Sequence, residues 1–113
     1  MKYTLKEAYP FNWEGLEGWA YNSKDDFPNA SAAYFEVTQS HGKVKTTKSD
    51  RIYLILDGEG EFIINGKIIP VKKTDVIIVP KNTPYDYKST RGVLKLFLVH
   101  TPAFDPKADV NLE

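Results

Sequence analysis

The residues best suited to chemistry in this chain are few. Two alternating sets, Arg51-Ile52-Tyr53 and Tyr85-Asp86-Tyr87, place polar-tipped side chains on one side of an extended backbone, because successive side chains of a strand point to opposite faces. A guanidinium forks a carboxylate or phosphate, and tyrosines stack and hydrogen-bond, so the set suits an anionic or polyhydroxylated small molecule. The 113 residues include two histidines, His41 and His100, and no cysteine. His41, ahead of Gly42, has two readings: a strand-end histidine donating to a nearby carbonyl, or a general acid or base. His100, ahead of Thr101-Pro102, reads as structural. Without cysteine there is no disulfide, thiolate metal site or thiol nucleophile.

The elements that must position these residues are strands. Arg51 heads a run that ends at Asp57-Gly58, and a second run ends at Asn65-Gly66. Both dipeptides tolerate the positive φ of tight turns, so the stretch predicts two consecutive hairpins. Trp13 to Tyr21 alternates large apolar with small or polar residues and predicts a half-buried strand kinked at its glycines. Ala32 to Gln39 is another strand, with Ala33, Phe35 and Val37 on one face and Tyr34, Glu36 and Thr38 on the other. Lys43 to Asp50 is polar and predicts a rim crossing. Val76 to Val79 is continuously apolar, the pattern of a strand buried on both faces. Ser89 to Gly92 predicts a turn between the Tyr85–Lys88 strand and a last strand over Val93–His100, and Ala103 to Glu113 predicts a polar tail. No segment holds a helical period. Many short strands with regular turns predict an all-β sandwich or barrel.

Bulk composition bounds the rest. The chain is 42% hydrophobic and 27% charged, with fifteen basic residues against fifteen acidic ones. That predicts one soluble domain without the basic field a nucleic-acid partner needs. No apolar run approaches membrane length, and the N-terminus lacks a signal peptide's core, so a cytoplasmic location is expected and a membrane partner is not.

The piece from Gly42 to Pro102 resembles the cupin family. The resemblance is carried by Arg51-Ile-Tyr-Leu-Ile-Leu-Asp-Gly-Glu-Gly-Glu-Phe62, by Asn65-Gly66-Lys67, and by Asp75-Val-Ile-Ile-Val-Pro-Lys-Asn-Thr-Pro-Tyr85. It implies a single-domain double-stranded β-helix, a jelly-roll barrel with an N-terminal extended arm and no substantial helix. Its divisions are an arm over residues 1–30, a barrel core over 31–102 and a tail over 103–113. Metal-binding members carry two histidines, a glutamate and a further histidine. Here the glutamate position holds Arg51 and the last histidine position Tyr85. The first two positions fall on Lys45 and Thr47 with a three-residue spacer, or on Val44 and Thr46 with a four-residue one. Two glycine positions of the second motif hold Thr74 and Asn82. The resemblance therefore implies a member without a metal and without any cofactor. Metal-free members include sugar-nucleotide epimerases and isomerases.

In such a barrel the ligand positions point inward. That makes Tyr85, Tyr53, His41 and Lys45 the candidate catalytic residues, and Arg51, Glu36, Tyr34, Thr47, Tyr87 and Lys95 the candidate ligand contacts. Arg51 has an internal reading too, as an ion pair with Glu36 or Asp86, since a buried unpaired cation is costly. The expected partner is an anionic or sugar-like small molecule. Two other classes remain open: a non-catalytic ligand-sensing or interaction module, and a metalloenzyme with non-standard ligands. A homodimer is expected, with the aromatic segment Trp13 to Tyr21 as its seam.

Overall fold

One long strand, β5 (Asp50–Ile64), organises the molecule in the computed structural model, which describes residues 1–112. Its first half pairs on one side with β7 (Val76–Val79) and its second half with β6 (Lys67–Lys72), while β8 (Tyr85–Thr101) runs antiparallel along almost its whole length. The order β1 (Tyr9–Trp13), β2 (Leu16–Ala20), β3 (Ser31–Val37), β8, β4 (Val44–Thr46), β9 (Asp109–Asn111) continues the curl. Among the described residues the only helical pieces are two single turns of 3-10 helix, Leu5–Glu7 and Pro106–Ala108. The architecture is the expected all-β jelly-roll barrel.

Strand alternation sets what faces inward. Arg51, Tyr53 and Ile55 of β5 are buried, as are Leu94, Leu96 and Leu98 of β8 and Ala33, Phe35 and Val37 of β3. Their sequence neighbours face outward. Ile78, Ile52 and Val99 pair side by side across three strands, and Val76, Leu54, Phe97, Tyr34 and Trp19 form a second outer row. Val76 and Ile78 are 55% and 61% exposed. The strand over Val76–Val79 is therefore buried on its inner face only.

Two turn expectations change. Asp57-Gly58 closes no hairpin: β5 runs straight through it, and the pairing with β8 shifts register at Ile55/Asp57 and Asp57/Glu59. Gly58 holds φ +78°, and a methyl group there would strike the Val93 carbonyl, so the dipeptide marks a bulge that bends one strand. Asn65 and Gly66, at φ 51° and 78°, do close a hairpin, the β5–β6 turn. Ser89–Gly92 likewise bends β8 without ending it. Trp13 to Tyr21 is a hairpin, β1 and β2 turning at Glu14-Gly15. The rim segment after Gly42 contains β4, and the polar tail contains β9, which pairs with β4. The tail expectation reaches Glu113, which lies outside the described residues.

Candidate functional site: an aromatic cavity in the barrel

The open end of the barrel holds a cavity of about 530 Å³, within the range usual for small-molecule sites. Its near wall is β1, where Tyr9, Phe11 and Trp13 point inward, and Ala33 and Phe35 of β3 lie behind them. This wall exists because of Gly18: a methyl group there would collide with the Phe11 ring, so only glycine lets that ring settle on the sheet. Phe11 stacks on Trp13 at 5.7 Å and meets Phe35 edge-on at 5.4 Å.

The floor carries the polar groups. Tyr53 comes from β5, Tyr85 and His100 from β8, His41 from the segment after β3, and Asp109 from β9. The His41 ring lies 4.6 Å from Tyr87 and 5.7 Å from Tyr85, near-parallel to both, with Trp13 edge-on at 5.6 Å. Its Nδ1 is 2.9 Å from the Gly42 carbonyl oxygen. A carbonyl only accepts, so that bond puts a proton on Nδ1 and makes Nε2 the basic atom of the neutral ring. The two readings of His41 thus meet in one residue: the carbonyl bond is present, and the ring lines the cavity.

Arg51 lies one layer below. It is 1% exposed, donates from Nη1 to Tyr85 Oη at 2.9 Å, and sets its guanidinium carbon 4.3 Å from the Tyr85 ring centre. Nε and Nη2 have no hydrogen-bond partner. Neither internal counter-ion considered for it serves: the Glu36 carboxylate accepts from Tyr34 at 2.7 Å on the outer face, and Asp86 accepts from the backbone N–H groups of Gly42 and Tyr87. Tyr87 is also fully buried, behind His41 and Tyr53, and its hydroxyl has no hydrogen-bond partner.

Burial dominates the floor's electrostatics. It pushes the phenols of Tyr53, Tyr85 and Tyr87 well above their ordinary value, with Arg51 acting in the opposite direction on each. The His100 imidazole is lowered to about 3 by burial, then by Arg51 and His41, so it is neutral at physiological pH. Asp109 is raised by burial, against the pull of Arg51.

Several expected contacts lie elsewhere. Tyr34, Glu36 and Lys95 share the outer face, where Tyr34 stacks on Trp19 and Glu36 stands opposite Lys95. The cavity took the other row of β3, because the small and aromatic side chains Ala33 and Phe35 face the core while the polar row meets solvent. Lys45 and Thr47 do not line the cavity either. Thr46 is the buried residue of β4, which places the four-residue spacing, with Val44 and Thr46, on the inner face. Thr47 Oγ1 instead donates to the Ala108 carbonyl. Trp13 lines the cavity. His100, read as structural, also lines the cavity, and Asp109 lines it without any signal in the sequence. His100 lacked a visible alternation partner, and the three-residue strand that carries Asp109 is too short to show a period.

The inner positions where metal-binding members keep their ligands hold Arg51, Tyr85, Val44 and Thr46, which offer no imidazole or carboxylate and one fixed cation. No group of three or more His, Asp or Glu among the described residues could hold a metal ion. This donor set does not fit the family's metal.

Comparisons with known proteins agree with the barrel. No family model matches the chain. Pac13 of Streptomyces, a nucleoside dehydratase, is 29% identical, with 100% of this chain and 91% of that one aligned at a TM-score of 0.88. The chain has the cupin fold. Three further Pac13 structures contain uridine, each with one substitution, a histidine to glutamine or one of two tyrosines to phenylalanine. A predicted oxalate decarboxylase of Thermotoga maritima is 25% identical over 90% of this chain and 99% of its own, at a TM-score of 0.80. An uncharacterized protein of Aquifex aeolicus is 25% identical over 89 residues, 79% of this chain and 74% of that one.

Proposed function

We propose that this cupin barrel binds a nucleoside in its aromatic cavity and, without a metal, catalyses loss of water from it by acid–base chemistry. The observation that carries the proposal is the meeting of His41 with Tyr85, at 5.7 Å between rings, on the floor of a cavity walled by Phe11 and Trp13. A flat base finds stacking surfaces in that wall, and a ribose finds hydroxyl and imidazole partners on the floor. Resemblance to Pac13 over the whole chain, and the uridine bound there, support the nucleoside as the ligand class.

Charge favours an uncharged nucleoside over an anion. Of the charged side chains lining the cavity, Asp25 and Asp109 are acidic, and Lys24 already pairs with Asp105 at 3.6 Å. Arg51, the expected anion anchor, is sealed below the floor.

Dehydration needs a base to take a carbon-bound proton and an acid to protonate the departing hydroxyl. His41, with its proton on Nδ1, supplies the base, and a floor tyrosine supplies the acid. Incubating the protein with uridine and its oxidised derivatives and following loss of one water by mass spectrometry tests this. Turnover that His41→Gln abolishes would support the reading. Uridine binding without turnover by any derivative would replace it with a ligand-binding module.

A further inference from the structure

The geometry points to Arg51 as a positioning residue: we propose that it holds Tyr85 as a proton donor aimed at the occupant of the cavity, without touching that occupant itself. The inference deepens the nucleoside reading and rests on it for the identity of the ligand and for the dehydration step.

A guanidinium has donors and no acceptor. The 2.9 Å bond from Arg51 Nη1 to Tyr85 Oη therefore makes the phenol oxygen an acceptor on that side. The phenol's own proton must point elsewhere, to the Tyr53 hydroxyl or to an occupant of the cavity that both phenols line. A neutral side chain at position 51 would leave that proton free to turn inward.

The same contact prepares the phenol to lose its proton. The groups that face Tyr85 are Arg51 and Tyr53 from β5, His41 from the segment after β3, Tyr87 on its own strand, and Asp109 from β9. Arg51 is the one fixed cation among them. Burial and the Tyr53 and Asp109 neighbours disfavour a phenolate, and Arg51 favours it. In dehydration, Tyr85 gives its proton to the leaving hydroxyl. The C–O bond breaks with its pair on oxygen, and water departs. The C–H pair becomes the new double bond, and its proton goes to His41. The phenolate so formed sits against the guanidinium, and solvent carries the proton from His41 back to it.

This role also explains a costly residue. A buried cation with two unmatched donors would ordinarily be selected against, yet here its charge acts where the cavity needs it.

The test places a fluorinated tyrosine at position 85, whose phenol titrates in an accessible range, and reads it by fluorine NMR in ligand-free protein. Replacing Arg51 by Met is expected to raise the midpoint by about one pH unit or more, the size of a lost neighbouring charge. Arg51→Gln, a second neutral variant that still donates a hydrogen bond, keeps the comparison readable if the methionine variant does not fold. Midpoints that coincide with that of the Arg51 protein would overturn the proposal. So would uridine that binds by calorimetry yet leaves the fluorine signal unmoved. Uridine that does not bind removes the nucleoside reading alone, and the midpoints still decide the role of Arg51.

Discussion

The rings of His41 and Tyr87 lie 4.6 Å apart and within 25° of parallel, joining a residue between strands to the long strand β8. Tyr87 in turn stacks on Phe62 at 4.7 Å, so the candidate base rests on a column of aromatic rings reaching into the core. Replacing Tyr87 by Leu removes that support. It is expected to destabilise the protein by about 2–4 kcal/mol, in the range of large-to-small core changes, and to weaken uridine binding although Tyr87 lies out of the ligand's reach. Urea unfolding and calorimetric titration with uridine measure the two effects.

Thr74 and Asn82 occupy positions where the family keeps glycine, and both retain the glycine conformation, at φ 75° and 63°. A β-branched residue is strained there. Thr74→Gly is therefore expected to stabilise the fold by about 1 kcal/mol, the left-handed penalty less glycine's entropy. Gly58→Ala is expected to cost about 2 kcal/mol or more, because the new methyl group meets the Val93 carbonyl as well as an unfavourable φ. Denaturation midpoints compared with the parent protein check both signs.

Those positions show what the sequence could reveal. The turn and motif residues are local, so the barrel, the Arg51 and Tyr85 positions and the glycine-like sites at 74 and 82 were legible. Asp57-Gly58 misled because a bulge and a hairpin use the same positive φ, and only the partner strand decides between them. The cavity wall misled for a related reason. Both faces of β3 carry aromatics, and the polar row of Tyr34 and Glu36 looked more like a ligand site than Ala33 and Phe35 did. Asp109 depends on β9 pairing with β4, more than sixty residues away in the chain, which no local pattern encodes.

Arg51→Met is expected to leave the protein at least as stable as the parent. The arginine has one hydrogen bond and two unmatched buried donors, and apolar replacements of buried charges are commonly neutral or stabilising by about 1–4 kcal/mol. A loss of stability in urea would show that the contact with Tyr85 outweighs the cost of burying the charge.

His100 makes stability depend on pH with a definite sign. Its folded-state value of about 3 lies below the ordinary value of 6.5, so the unfolded chain binds the proton more tightly. Its contribution is fully present above pH 6.5 and is lost as pH falls from there towards 3. His100→Gln should flatten the decline in stability across that window, measured by urea unfolding at stepped pH, and should change little at pH 8.

The most direct test of the nucleoside site is calorimetric titration of the protein with uridine and with uridine 5′-monophosphate, repeated on Ala33→Trp, which fills the cavity from its β3 wall. One uridine should bind per chain, more tightly than the monophosphate, and the tryptophan variant should bind neither. Uridine binding that survives Ala33→Trp, or a preference for the charged nucleotide, would contradict it.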